Sequence, residues 1–126
     1  MSREITEHKV NECNEALTIE VRDEPSDGSA CHVYVIRWDS PHLALGEDTV
    51  TLRFQNGPIK EVGTNGITQE VLLAIVADRL IGFQSGTFAC DENEQALTHV
   101  RAAQYSLQSR TKRRVAAGVE GTHEGN

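Results

Sequence analysis

The sequence lacks the short motifs on which many small enzymes depend. It has no phosphate-cradling GxxxxGK followed by Ser or Thr, no GxSxG nucleophile elbow and no HExxH zinc helix. No apolar run is long enough to span a membrane and no signal peptide is recognisable, so no membrane partner is expected. The three cysteines, Cys13, Cys31 and Cys90, are an odd number without paired spacing. That suits a reducing cytosol better than a disulfide framework. Five histidines are scattered over positions 8, 32, 42, 99 and 123, with neither HxxxH nor CxxC, so no metal site and no cofactor are expected. Positive charge is scarce: 12 basic residues stand against 19 acidic ones, for a net charge of −7. Such a chain is a poor partner for long nucleic acid, which needs many basic contacts to release counterions. A small anion needs only about two or three cations.

What is present is a helical hairpin over residues 68–117. Thr68 is placed to cap a first helix, with Leu72, Ile75, Val76, Leu80 and Phe83 at helical spacing and Gly86 available to end it. Asp91 and Glu94 have the form of a capping box for a second helix, which meets no Gly or Pro until Gly118. Cys90, at that helix start, invites thiol chemistry, but its neighbours Phe88 and Ala89 favour packing. At 1.5 Å per residue the second helix spans roughly 39 Å and the first roughly 25 Å. The overhang is basic: residues 101–119 hold Arg101, Arg110, Lys112, Arg113 and Arg114 and no acid. Cations there also complement the helix macrodipole, which is the plainer reading.

Upstream, residues 16–22, 32–38 and 49–55 read as strands, the first with Leu17, Ile19 and Val21 alternating against polar neighbours. Residues 1–12 are polar and expected to be frayed. Residues 23–28 are expected to turn and 39–48 to form a loop. Asn56-Gly57 signals a turn, and residues 58–62 read as a short fourth strand. Strands first and helices after give an α+β fold. We expect a single domain over 1–126, with an antiparallel sheet platform over 13–62, the hairpin over 68–117 and a glycine-containing tail over 118–126.

The second helix carries a seven-residue stripe of Asn93, Val100, Leu107 and Arg114, with Leu97 and Arg110 beside it. Phe83 should lie near Asn93 across the short loop. An aromatic face and an amide suit a purine base, and two arginines one turn apart suit phosphates. Asn93 and Arg110 are roughly 26 Å apart along a helix axis, too far for one small ligand. Two chains with antiparallel second helices would unite the ends and form two identical sites. An ordinary dimer seam with solvated arginines explains the same stripe.

A set of short motifs carries a resemblance. It comprises Gly57-Pro-Ile-Lys-Glu-Val-Gly63, Asn65-Gly66, Leu73-Ala-Ile-Val76, Asp78-Arg-Leu80, Gly82-Phe-Gln84, Phe88-Ala-Cys90, Glu92-Asn93, Arg110-Thr111, Arg114 and Gly118-Val-Glu-Gly-Thr122. In these the chain resembles the phage Thoeris anti-defence sponges with a helical-hairpin domain, over about residues 56–123. One departure is Ala117, where many relatives are expected to have Arg before the Gly-Val-x-Gly-Thr tail.

The resemblance implies a non-enzymatic protein in the cytoplasm of the infected bacterial host. It implies a ligand among the cyclic ADP-ribose isomers, such as glycocyclic ADP-ribose, whose sequestration keeps the Thoeris effector silent. It implies homodimers, hexamers in some members, and in some a separate site for CBASS cyclic oligonucleotides. By residue it implies base-side contacts from Phe83 and Asn93 and phosphate contacts from Arg110 and Arg114. The tail residues Gly118, Gly121 and Thr122 would close over the ligand. Two other readings stay open: a protein-interaction or regulatory module that uses the hairpin to dimerise, and a small nucleotide-cleaving enzyme. The second lacks an evident base or nucleophile among these residues.

Overall fold

The computed structural model describes residues 2–41 and 46–123. The loop expected over 39–48 and the tail expected over 118–126 therefore lie partly outside the described residues. The chain divides into two compact units, one holding residues up to 57 together with 64–67, the other holding 58–63 and residues from 68 onward.

The first unit is a four-stranded antiparallel sheet in the order β1-β2-β3-β4, with β1 at Arg3–Ile5, β2 at Thr18–Val21, β3 at Val33–Asp39 and β4 at Glu47–Arg53. A single helical turn, α1 (Glu12–Glu15), joins β1 to β2 and is capped by the Asn11 side chain. Cross-strand partners share a face, so Ile5, Ile19, Ile36 and Val50 line up on one side, as do Val21, Tyr34 and Leu52. The other face carries the partners Glu20, Val35 and Thr51 and the ion pairs of Arg37 with Glu20 and Glu47 at 3.7 and 3.5 Å. Val21 and Val35, on opposite faces, are both buried.

Two expectations about the strands are corrected. Residues 3–5 are not frayed but form the edge strand β1, with Ile5 opposite Ile19. A backbone edge recruits a partner through hydrogen bonds, which polar side chains do not advertise. His8 reinforces the return by donating from Nε2 to the Leu17 carbonyl at 2.6 Å. Residues 58–62 are not a strand. Ile59–Val62 form a helical turn, α2, which starts after Pro58 and stops at Gly63, where φ is +73°. Proline's fixed φ suits a helix start and glycine a helix stop.

The β2–β3 loop is tied by Asp23. Its carboxylate accepts from the amides of His32 at 2.9 Å and Val33 at 2.9 Å. Desolvation raises the Asp23 pKa, but these amides, its own N–H and the nearby His32 outweigh that and hold it below the ordinary value. After β4 the chain makes a second close contact with itself. Phe54 bridges Ile67 in parallel, and Asn65 accepts from the Asn56 amide at 2.8 Å and donates to its carbonyl at 2.7 Å. Gly66 lies so close that a Cβ there would sit 2.4 Å from the Phe54 carbonyl carbon.

The second unit contains α2, the hairpin helices α3 (Gln69–Gln84) and α4 (Asp91–Ala116), and the tail. The Thr68 hydroxyl caps α3, accepting from Val71 at 3.3 Å, as its position in the sequence leads one to expect. Gly86 is not left-handed, so it does not end α3 in the expected way; Ser85 is the C-cap. The expected Asp91–Glu94 capping box does not form, because Cys90 is the N-cap and has no side-chain capping bond. Gln84 takes over that work: its Oε1 accepts from the Cys90 amide at 3.0 Å, and its Nε2 donates to the Cys90 carbonyl and to Glu94, each at 3.2 Å. Cys90 itself is exposed, which overturns its reading as a packing residue.

Along α4, Asn93, Leu97, Val100 and Leu107 are half-buried and Arg114 is buried, whereas Arg110 is exposed. On α3, Ala77 is buried, but Val71, Ile75, Val76 and Ile81 are exposed. An open apolar groove between the two helices is lined by Leu72, Leu73, Val76, Ala103, Ser106 and Leu107.

Candidate functional site

The anticipated residues fall into two groups at opposite ends of α4. At the hairpin turn, Phe83 meets Phe88 edge to face with ring centroids 6.0 Å apart. Asn93 donates from Nδ2 to the Phe88 carbonyl at 3.1 Å. Phe83 and Asn93 are thus gathered around Phe88, which is 71% exposed. The Arg79 guanidinium lies 5.3 Å from the centroid of the Phe83 ring. An aromatic corner next to a cation and an amide can stack a base and bond its edge.

At the other end the two arginines differ. Arg110 is exposed and holds no hydrogen bond or ion pair among the described residues. Arg114, one turn on, is 5% exposed and engages the tail. Its Nε donates to Glu120 Oε1 at 2.9 Å, and its Nη2 donates to the carbonyls of Val119 at 2.9 Å and Thr122 at 3.0 Å. Gly118 and Gly121 are left-handed, with φ of +74° and +81°. The Thr122 hydroxyl donates to the Val119 carbonyl. Gly121 rests on α2, where its carbonyl accepts from Lys60 at 3.1 Å.

One chain does not bring the two groups together, since Asn93 and Arg110 sit 17 residues apart on a single continuous helix, roughly 26 Å by helical rise. Reasoning from the sequence missed Gln84, Phe88 and Glu120. Only Phe88 gave a signal, as an aromatic in a short turn, where it counts first as an apolar neighbour of Cys90. Among the described residues no group of three or more His, Cys, Asp or Glu is placed to hold a metal ion. No helix among them is long and apolar enough to cross a membrane.

The model of the family described as Acb2/Tad1, hairpin domain, matches residues 47–112, just over half of the chain. This chain belongs to that family. The match takes in β4, α2, α3 and most of α4, including Phe83, Asn93 and Arg110. A relative from Bacillus phage SBSphiJ7, named Thoeris anti-defense 1, is 47% identical over 74 residues. The alignment covers 59% of this chain and 52% of that protein, so the chain spans about half the length of the relative it matches.

Proposed function

We propose that this chain is a non-enzymatic sponge that binds a cyclic ADP-ribose-type signal, glycocyclic ADP-ribose, and so blocks bacterial Thoeris immunity. It acts in the cytoplasm of the infected host, where the signal is made. The observation that carries this reading is membership of the hairpin-domain family, joined to an exposed, unpaired arginine at the far end of the family's hairpin. The name of the phage relative supports the Thoeris target.

The working unit is a homodimer with antiparallel α4 helices. Each site joins Phe83 and Asn93 of one chain to the arginine end of the partner subunit's α4, where Arg110 supplies the exposed cation and Arg114 holds the segment of Gly118, Gly121 and Thr122 that closes over the ligand. Charge favours this pairing, because Asp91, Glu92 and Glu94 in the first turn of α4 would face the basic last turns of its partner. The exposed apolar residues of α3 offer further surface for higher assembly, such as a hexamer. A sponge acts by mass action, so it needs tight binding and slow release rather than turnover.

Calorimetry of the purified protein against glycocyclic ADP-ribose tests this, followed by heat release and chromatography of the ligand. About one ligand per chain, recovered intact, is the expected result for a symmetric dimer with two sites. Ligand recovered cleaved would point to an enzyme. The same titration with cyclic di- and trinucleotides decides whether CBASS signals are also held. The exposed face of α3 favours one second reading, a protein-interaction module, which gains if the chain self-associates but no nucleotide binds.

A further inference from the structure

We infer that Arg114 works through the C-terminal segment, and that Glu120 is its counterpart in a latch that folds residues 118–122 onto α2. This rests on the proposed function in one respect, that the segment is the part which closes over the ligand.

Burying a cation is costly. A guanidinium taken out of water needs its charge matched and its N–H groups bonded. Arg114, at 5% exposure, meets both needs within four residues of the tail: the Glu120 carboxylate at 2.9 Å, the Val119 carbonyl at 2.9 Å and the Thr122 carbonyl at 3.0 Å. Three acceptors converging on one rigid planar fork fix the path of the chain between them. The left-handed glycines at 118 and 121 permit the reversals this path needs.

The folded segment then docks. The Gly121 carbonyl accepts from the Lys60 amide at 3.1 Å, and a Cβ at 121 would stand 3.1 Å from Ile59 Cγ2 and 3.2 Å from Lys60 Cγ. His123 Nδ1 lies 3.3 Å from Glu61 Oε2 at the exposed rim. Two stretches far apart in sequence, 59–61 and 118–123, therefore form one structure with Arg114 as its pin. A ligand phosphate that takes Nε or Nη2 of that guanidinium must displace the Glu120 carboxylate or a tail carbonyl. Arg110, exposed and unpaired, faces no such competition. Arg110 is the cation that meets phosphate, and Arg114 is a positioning residue that presents the tail.

The test compares wild type with Arg114→Lys, Glu120→Gln and the double variant. Amide hydrogen exchange at Val119 and Thr122 reports the latch in the ligand-free chain, since these amides donate to the Arg114 and Val119 carbonyls at 3.0 and 3.1 Å. Dissociation of glycocyclic ADP-ribose reports its use. We expect each single variant to speed exchange at these amides by about ten-fold, the scale of a charged hydrogen bond, and to speed ligand dissociation similarly. The double variant should be no worse than the worse single one, because both break the same contact. Arg110→Ala should leave exchange in the tail unchanged. Unaltered exchange in both single variants overturns the latch. Faster exchange with wild-type dissociation overturns its role in holding ligand, as do additive losses, which would mean that Arg114 touches the ligand itself. If wild type binds no nucleotide, the sponge reading fails, and the exchange rates of the free chain still decide the latch.

Discussion

Val21 and Val35, at 1% and 5% exposure, are shut away on the two faces of the sheet. On α3, Val71, Ile75, Val76 and Ile81 are 45%, 53%, 43% and 45% exposed, and Ala77 is the buried residue. The sheet unit buries a valine on each face and leaves Val50 of β4 41% exposed, whereas the hairpin leaves those four apolar residues of α3 in solvent. Exposed apolar side chains gathered on one helix mark an interaction surface, and on α3 they lie beside the exposed charges of Asp78 and Arg79. The contrast teaches that the sheet's packing is largely explained within one chain, whereas the exposed face of α3 is the surface that the proposed second copy would cover.

That contrast can be broken at either side. The largest effect is expected in the sheet unit. Gly66→Ala drives a Cβ to 2.4 Å from the Phe54 carbonyl carbon, which backbone cannot yield to cheaply. It should cost about 3 kcal/mol or more in chemical denaturation, by the same amount at every protein concentration. A cost below about 1 kcal/mol would show that the contact at Phe54 and Ile67 gives way easily.

On the hairpin side, Ile75→Asp places a charge on the exposed apolar face of α3. Sedimentation should show self-association weakened by about 100-fold, roughly 2.7 kcal/mol, if this residue lies at the centre of an interface. Monomer stability should move by about 0.5 kcal/mol or less, since the residue is exposed. An unchanged assembly would mean that another face makes the contact.

Arg110→Ala sharpens the comparison further, because it separates binding from folding. Ligand affinity should fall by about 1.5–3 kcal/mol, the worth of charge-assisted hydrogen bonds, with the melting temperature unchanged. Phe83→Ala should weaken binding as well, and needs circular dichroism as a fold control because the ring is half-buried against the hairpin turn. The smallest effect is on acidification. Asp23 has its folded pKa below the ordinary 3.8, so its contribution to stability is present above that value. It is lost as the pH falls from about 3.8 through the lower folded value. Asp23→Asn should flatten that part of the acid-denaturation profile of the sheet unit.

The sequence made the hairpin legible because its signals are local. Thr68 caps the helix it precedes, and the glycine-free run from 91 to 117 is a long helix ending before Gly118. Three strands were legible from their alternation. What escaped were features set by distant partners. β1 exists because β2 offers it an edge, and its polar letters say nothing of that. The turn at 59–62 spans too few residues for periodicity to tell a helix from a strand, and its docking partner, Gly121, lies some sixty positions on. At the candidate site, Phe83, Asn93 and Arg110 were visible as residue types at suitable spacing. Gln84 and Glu120 were not, because nothing in a glutamine or a glutamate foretells which backbone it will hold.

The most direct test of an incomplete hairpin finished by a second copy is a mixing experiment. Phe83→Ala and Arg110→Ala chains, each defective alone, are denatured together in equal amounts, refolded and titrated with glycocyclic ADP-ribose. If each site takes Phe83 from one chain and Arg110 from its partner, half the dimers are mixed and each mixed dimer carries one intact site. Wild-type affinity should then return in about a quarter of all sites. If the site lies within one chain, no mixture restores it, and the absence of any recovered binding would contradict the account.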